Sequence, residues 1–176
     1  KGGAVFDRIY YWTNGHPYLT QKLCLAVVEE RRPQEWHNDQ IDSLVRRLFL
    51  SEEARKETNL QFVQDQIITH PLRPQLLTLY KRLLKGQAVQ DDGQSILHNH
   101  IKLTGLVKAE HDQLYVRNHV YRQAFDLEWI GRHRPVNWPW LVSGAAVTIS
   151  VIVVFCLILL VGYDNYWLPQ QADSAE

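Results

Sequence analysis

Apolar side chains recur at helical spacing along most of the first 134 residues. Val5, Ile9 and Trp12 predict a first helix that ends at Asn14-Gly15, where a left-handed cap costs least. His16 precedes a proline and is biased toward extended backbone. Pro17 suits the first turn of a second helix, which carries Leu19, Leu23, Ala26 and Val27 on one face and is closed by Arg31, Arg32 and Pro33. Ile41, Leu44, Val45 and Leu48 form a third stripe, with Asn38 or Asp39 as its cap, and Ser51 begins a short charged turn. Asn59 is expected to cap a helix carrying Leu60, Val63 and Ile67. Pro74 opens another, with Leu76, Leu79, Tyr80 and Leu83, that stops at Gly86 before a hydrophilic linker from Gln87 to Gln94.

From Ser95 the period changes. Ser95 caps a helix with Ile96, Leu97 and Ile101 that Gly105 ends. Two short segments, Leu106 to Glu110 and Gln113 to Arg117, then flank the turn residues His111 and Asp112. Val120, Ala124 and Phe125 resume helical spacing up to about Ile130. The order helix, helix, hairpin, helix predicts a winged helix-turn-helix variant in a mainly α chain with one small β-hairpin.

The carboxyl end reads differently. No charged side chain occurs from Pro135 to Tyr163, and the stretch from Trp140 to Tyr163 is dominated by Val, Ile, Leu, Ala and Phe. At about 1.5 Å per residue that stretch reaches about 36 Å, against a hydrocarbon core of about 30 Å, so one transmembrane helix over 138–163 is expected. Trp138 and Trp140 at one end, with Tyr163, Tyr166 and Trp167 at the other, fit aromatic belts. Arg132 and Arg134 before the span and Asp164, Asp173 and Glu176 after it orient the N-terminal part toward the cytoplasm. The expectation is a single-pass protein of a bacterial inner membrane, with the lipid bilayer as a partner and 164–176 as a short polar tail.

Charge and cysteine content narrow the function classes. Basic and acidic residues each total 19, so no global field draws the chain to nucleic acid. Lys102, Lys108, Arg117 and Arg122 in the winged-helix region are offset by Glu110 and Asp112, too little unopposed charge for strong phosphate-driven affinity. His98 and His100, two apart on one helix, point about 200° away from each other and make a poor metal pair. Cys24 and Cys156 belong to no metal-ligand spacing. G-x-x-x-x-G-K-[ST] is absent, and no local spacing assembles a nucleophile, base and orienting acid, so no catalysis is expected of this chain alone. The absence of methionine, including at position 1, fits a piece of a longer protein.

The stretch Tyr10-Tyr11-Trp12-Thr13-Asn14-Gly15-His16-Pro17-Tyr18-Leu19-Thr20-Gln21 resembles the segment that follows the nucleotide-binding core in bacterial AAA-like ATPases of the STAND class, whose signature there is Gly-x-Pro. Leu48 to Arg55, Asn59 to Val63, Leu103 to Val107, and Val116-Arg117-Asn118 with Tyr121, Arg122 and Phe125 extend the resemblance over roughly Ala4 to Arg132. It implies a helical lid over 1–57 and a winged-helix domain over 58–134, both packed on a nucleotide-binding core outside this chain. Gly15, His16 and Pro17 would contact an adenine, since proline offers apolar surface and glycine allows close backbone approach. His119 stands where relatives carry a Met-His-Asp-like motif that senses the diphosphate, although this chain reads Asn118-His119 there. The implied function is the C-terminal regulatory part of a membrane-tethered ATP/ADP-binding signalling switch. Its partners would be an upstream nucleotide-binding domain and further copies of itself. The alternative is a membrane-anchored winged-helix transcription regulator.

Overall fold

The computed structural model describes residues 3–30, 36–135 and 148–159. Residues 1–134 form one compact unit and 135–176 a second. In the first unit the order is α1 (Gly3–Thr13), α2 (Pro17–Glu29), α3 (Asn38–Val45), a π-helical turn (Arg46–Leu50), a 3-10 turn (Glu53–Lys56), α4 (Thr58–Ile68), α5 (Arg73–Leu84), α6 (Ile96–Leu103), β1 (Val107–Glu110), β2 (Gln113–Val116), α7 (His119–Ala124) and α8 (Leu127–His133). The described residues are thus mainly helical with a small hairpin.

The stripes read between residues 5 and 83 are the buried faces. Ile9 and Trp12 of α1, Leu19 and Leu23 of α2, Ile41, Leu44 and Val45 of α3, and Leu60, Val63 and Ile67 of α4 all join one core with Leu76, Tyr80 and Ile101. That core is continuous across position 57, because α7 packs on both α1 and the π-helical turn. β1 and β2 pair antiparallel with Val107 opposite Val116 and Glu110 opposite Gln113. His111 and Asp112 between them both have positive φ, as a two-residue turn of primed type requires.

Local capping departs from expectation in three places. Glu57, not Asn59, caps α4, because its carboxylate reaches the Leu60 N–H at 2.9 Å, while the Asn59 amide oxygen is taken by Tyr121. His37 caps α3 in place of Asn38 or Asp39, through a reciprocal box with Gln40. The helix expected from Val120 to Ile130 is two, since Phe125 leaves the helical region and Asp126 caps α8 through the Trp129 N–H at 2.7 Å. The linker after Gly86 is also less detached than its polarity suggests. Val89 is buried, its carbonyl accepts from Leu114 N–H at 2.9 Å, and Gln90 bridges Gln113, so the linker borders the hairpin.

The transmembrane expectation is overturned. Among the described residues no helix is long and apolar enough to cross a membrane. In the second unit the described helical residues are 148–159, which account for about 18 Å against a hydrocarbon core of about 30 Å. Side chains from Ile149 to Leu159 are apolar apart from Ser150, and the large ones are at least half exposed. An uncharged run in the sequence measures composition, whereas a span needs unbroken helical length. With the span falls the placement as a single-pass inner-membrane protein with a cytoplasmic N-terminal part. The remaining positions of 138–163, the belt residues and the tail 164–176 lie outside the described residues, as do Arg31, Arg32 and Pro33.

Candidate functional site

The turn between α1 and α2 is built from two left-handed residues, Asn14 (φ 46°) and Gly15 (φ 70°). A Cβ on Gly15 would lie 3.3 Å from the Tyr10 ring, so this glycine serves both the backbone conformation and the close approach. His16 follows in extended conformation and caps α2 by accepting the Leu19 N–H at Nδ1, 3.4 Å away. Its Nε2 lies 3.1 Å from the Tyr121 hydroxyl, and that hydroxyl donates to Asn59 Oδ1 at 2.8 Å. Tyr121 has only one hydroxyl proton. With that proton on Asn59, Nε2 must carry the hydrogen and Nδ1 must be bare, which makes His16 the neutral Nε2–H tautomer. Burial, reinforced by the nearby charge of Arg117, lowers the His16 pKa in keeping with this assignment. Burial also pushes the Tyr121 hydroxyl up to about 12. His16 therefore spends both ring nitrogens inside the protein, whereas Gly15 and Pro17 remain exposed.

About a hundred residues later, Asn118 caps α7 through the Tyr121 N–H at 2.8 Å and delivers His119 to the helix start. The His119 ring stacks on Tyr11 at 4.2 Å with a 16° interplanar angle and meets Trp12 edge-on. The Arg8 guanidinium lies 4.5 Å from the Tyr11 ring centroid, and Arg8 also pairs with Asp42 through two 2.7 Å hydrogen bonds. Burial, then Arg122 and Arg8, lowers the His119 pKa, so the ring is held neutral.

The two regions singled out by resemblance thus meet at one seam. The Asn14 amide donates to the Arg117 carbonyl at 3.0 Å, and Tyr11 stacks on His119. An open cleft of about 370 Å³ runs along the seam, lined by Tyr10, Tyr11, Tyr115, Arg117, Asn118 and His119 among others. Gly15, His16 and Pro17 do not line it; Tyr10, which touches Gly15 and the cleft, connects them. The other cations bordering the cleft are engaged, Lys108 with Glu110 at 2.6 Å and Arg122 with the Leu84 carbonyl at 2.9 Å. Arg117 is the exception. Its Nε and the Asn118 Nδ2 are buried without a hydrogen-bond partner, and among the described residues no carboxylate pairs with the Arg117 guanidinium. Tyr10, Tyr11, Arg117 and Asn118 were passed over as site residues in the sequence. The signal for them was present, since both pairs lie within segments that carry the resemblance.

A second polar joint closes the other side of the same seam. Glu57, only 7% exposed, accepts from the Tyr18 hydroxyl at 2.5 Å and from Lys22 Nζ at 3.2 Å. Burial alone would raise its pKa, but the hydrogen bonds from Tyr18, Leu60 and Lys22 outweigh it and hold the carboxyl below its ordinary value.

The remaining candidates have partners of their own. His98 faces Asp91 and accepts the Asp92 N–H, while the His100 ring lies against His70 with centroids 3.6 Å apart and planes tilted by 31°. Among the described residues no group of three or more His, Cys, Asp or Glu side chains converges. The outward face of α6, which a DNA-reading winged helix would place in the major groove, presents Ile96 and Leu103 at 75% and 81% exposure, while Lys102 is paired with Asp91 at 2.6 Å.

No protein-family model matches the chain, and no solved structure matches it. The chain is similar to an uncharacterized WD repeat-containing protein of Synechocystis sp., 28% identical over 138 residues, which is 73% of this chain and 11% of that protein. The chain therefore spans about a tenth of the relative's length. The match names no nucleotide-binding family.

Proposed function

We propose that this chain supplies the lid and winged-helix part of an AAA-like, STAND-type switch, which shares ATP or ADP with an upstream nucleotide-binding domain and converts nucleotide state into a change of packing. The observation that supports this reading is convergence. The Gly15 turn and the Asn118-His119 loop are about a hundred residues apart in sequence yet border one aromatic and cationic seam, joined by the Asn14 to Arg117 hydrogen bond and the Tyr11–His119 stack.

On this reading Gly15 and Pro17 offer exposed surface to the base, and the cleft faces the phosphates. His16 does not touch the ligand. It holds the turn in place through Tyr121 and Asn59, a positioning role that differs from the adenine contact the resemblance implies. The neutral His119 would contact a phosphate as a hydrogen-bond donor, not as a cation. Switching requires two packings separated by a few kcal/mol, one of which binds nucleotide better. The polar seam suits this, since hydrogen bonds exchanged with water carry a small net bias.

Trp12, edge-on to His119 in the seam, provides the readout. Titration of the chain with ADP should change tryptophan emission, and the change should vanish in Trp12→Phe. Emission that is flat up to millimolar ADP would overturn the reading, as would ATP turnover by this chain alone, which carries no phosphate loop.

A further inference from the structure

Of the three cations that border the cleft, Arg117 is the one without a side-chain hydrogen-bond partner among the described residues. Arg117 leaves the end of β2 half-buried, and its Nε–H has no acceptor. Next to it Asn118 is 5% exposed, with Oδ1 spent on capping α7 and Nδ2 again without an acceptor. A half-buried guanidinium without a counter-charge, beside an orphaned amide donor, is unfavourable by the desolvation of each group. A buried donor without a partner calls for a physical reason, and an anion that completes it is one. The neighbouring cations differ, since Lys108 is paired with Glu110, and Arg122 is exposed and donates to the Leu84 carbonyl.

We infer that Arg117 and Asn118 together form an oxyanion receptor in the seam cleft, and that this pair, more than His119, holds the anionic group of a phosphorylated ligand. A guanidinium and a primary amide side by side present several N–H donors and no acceptor, which matches a phosphoryl group and rejects a cation. Tyr10, Tyr11 and Tyr115 border the same cleft and give a planar substituent rings to stack on. His119 is less suited to the anion, because its ring is stacked on Tyr11 and burial, with Arg122 and Arg8 nearby, holds it neutral, so it offers no charge of its own. Both orphaned donors lie beneath the cleft surface. An anion engages them only as the Arg117 side chain turns outward, so binding is linked to a rearrangement next to the Asn14 contact and to His16, which feels the Arg117 charge.

The inference deepens the nucleotide-switch reading but does not need it, because the receptor requires only an oxyanion. The 176-residue chain is titrated with pyrophosphate and separately with ADP, following binding by calorimetry and by the side-chain Arg117 Nε–H and Asn118 Nδ2–H resonances. Arg117→Gln should weaken pyrophosphate by about tenfold or more, as expected for a charge-assisted hydrogen bond. Arg117→Lys should recover part of the loss, and Asn118→Asp, which keeps the cap acceptor and replaces the donor by a negative charge, should abolish binding. His119→Gln should weaken it less than Arg117→Gln. Circular dichroism checks each fold; should Arg117→Gln unfold, the Lys and Asp variants decide. Pyrophosphate binding that depends on Arg117, with ADP no tighter, keeps the receptor and removes the nucleotide reading. ADP binding that is insensitive to Arg117→Gln does the reverse. No binding of either probe, or greater loss in His119→Gln than in Arg117→Gln, overturns the receptor.

Discussion

Tyr121→Phe removes one oxygen from the middle of the seam. The hydroxyl makes two hydrogen bonds, to Asn59 Oδ1 at 2.8 Å and from His16 Nε2 at 3.1 Å, and Tyr121 itself is fully buried. Phenylalanine preserves the ring's apolar contacts, so the change in stability reports the polar interactions alone. Each neutral hydrogen bond contributes about 1 kcal/mol net, and a donor or acceptor left without a partner costs about 1–3 kcal/mol. Asn59 and His16 are only partly buried and regain some water. The sum is a loss of about 2 kcal/mol, which for a domain of this size lowers Tm by about 4–8 °C. Urea denaturation of the chain at pH 7.5 measures it, and an unchanged m-value would show that the denatured state is not the cause. A cycle with Asn59→Ala should give a coupling energy of about 0.5 kcal/mol or more. A loss below about 0.5 kcal/mol, or strict additivity in the cycle, would mean that the hydroxyl network does not hold the seam, and the tautomer assigned to His16 would lose its basis.

The neutral state of His16 and His119 sets a pH dependence. Both folded pKa values lie below the ordinary 6.5, so their contribution is complete above about pH 6.5 and declines as pH falls below it toward the folded values. The urea midpoint should therefore fall between pH 7 and 5. Combining His16→Asn, which keeps a capping side chain, with His119→Gln should flatten that fall, and an equally steep profile in the double variant would refute the assignment. Asp42→Asn, which breaks the paired Arg8 hydrogen bonds and the 2.7 Å bond from Trp12 Nε1, should cost about 1–2 kcal/mol after allowance for partial exposure, as read from the same denaturation curves. Gly15→Ala should lose about 1 kcal/mol from the left-handed backbone and displace Tyr10, whereas at Gly86, also at positive φ but with open space around it, alanine should carry the backbone cost alone. Differential scanning calorimetry of the two alanine variants tests the difference.

Hydrophobic period carried most of the fold. Every stripe read from residues 5 to 83 is a buried face, and the hairpin lies where alternation and the His111-Asp112 turn placed it. Period could not assign the caps, because capping depends on which acceptor is free. Asn59 looked like the better cap of α4, but Tyr121, 62 residues away, claims its oxygen and leaves Glu57 to do the work. Similarly, the spacing from Val120 to Ile130 gave no warning that Asp126 would restart the helix. The apolar tail failed for another reason. Hydropathy sums composition along a sequence and carries no measure of helical length, and the described helical residues there are about half the number a crossing demands. At the site, resemblance located the two segments but not their chemistry. Resemblance picked out His16 and His119, yet both are held neutral by packing, and the cation left without a partner in the cleft is Arg117, which in the sequence was one cation among several.

That unmatched charge gives the seam a direction in which it can be biased. The N-terminal helices and the hairpin unit share an apolar core, which alone would hold them in one arrangement. Across the top of that core the joints are polar: Asn14 to Arg117, His16 to Tyr121, and Tyr18 and Lys22 to Glu57. A polar joint can be exchanged for water at small net cost, while an apolar one cannot. A ligand that satisfies Arg117 and Asn118 gains free energy only in the arrangement that presents them, and it therefore shifts the population by its differential affinity for that arrangement. On the proposed reading the important partition is thus not between two domains with separate cores. It lies between a fixed apolar floor and a polar rim whose balance an anion of two or more charges can tip.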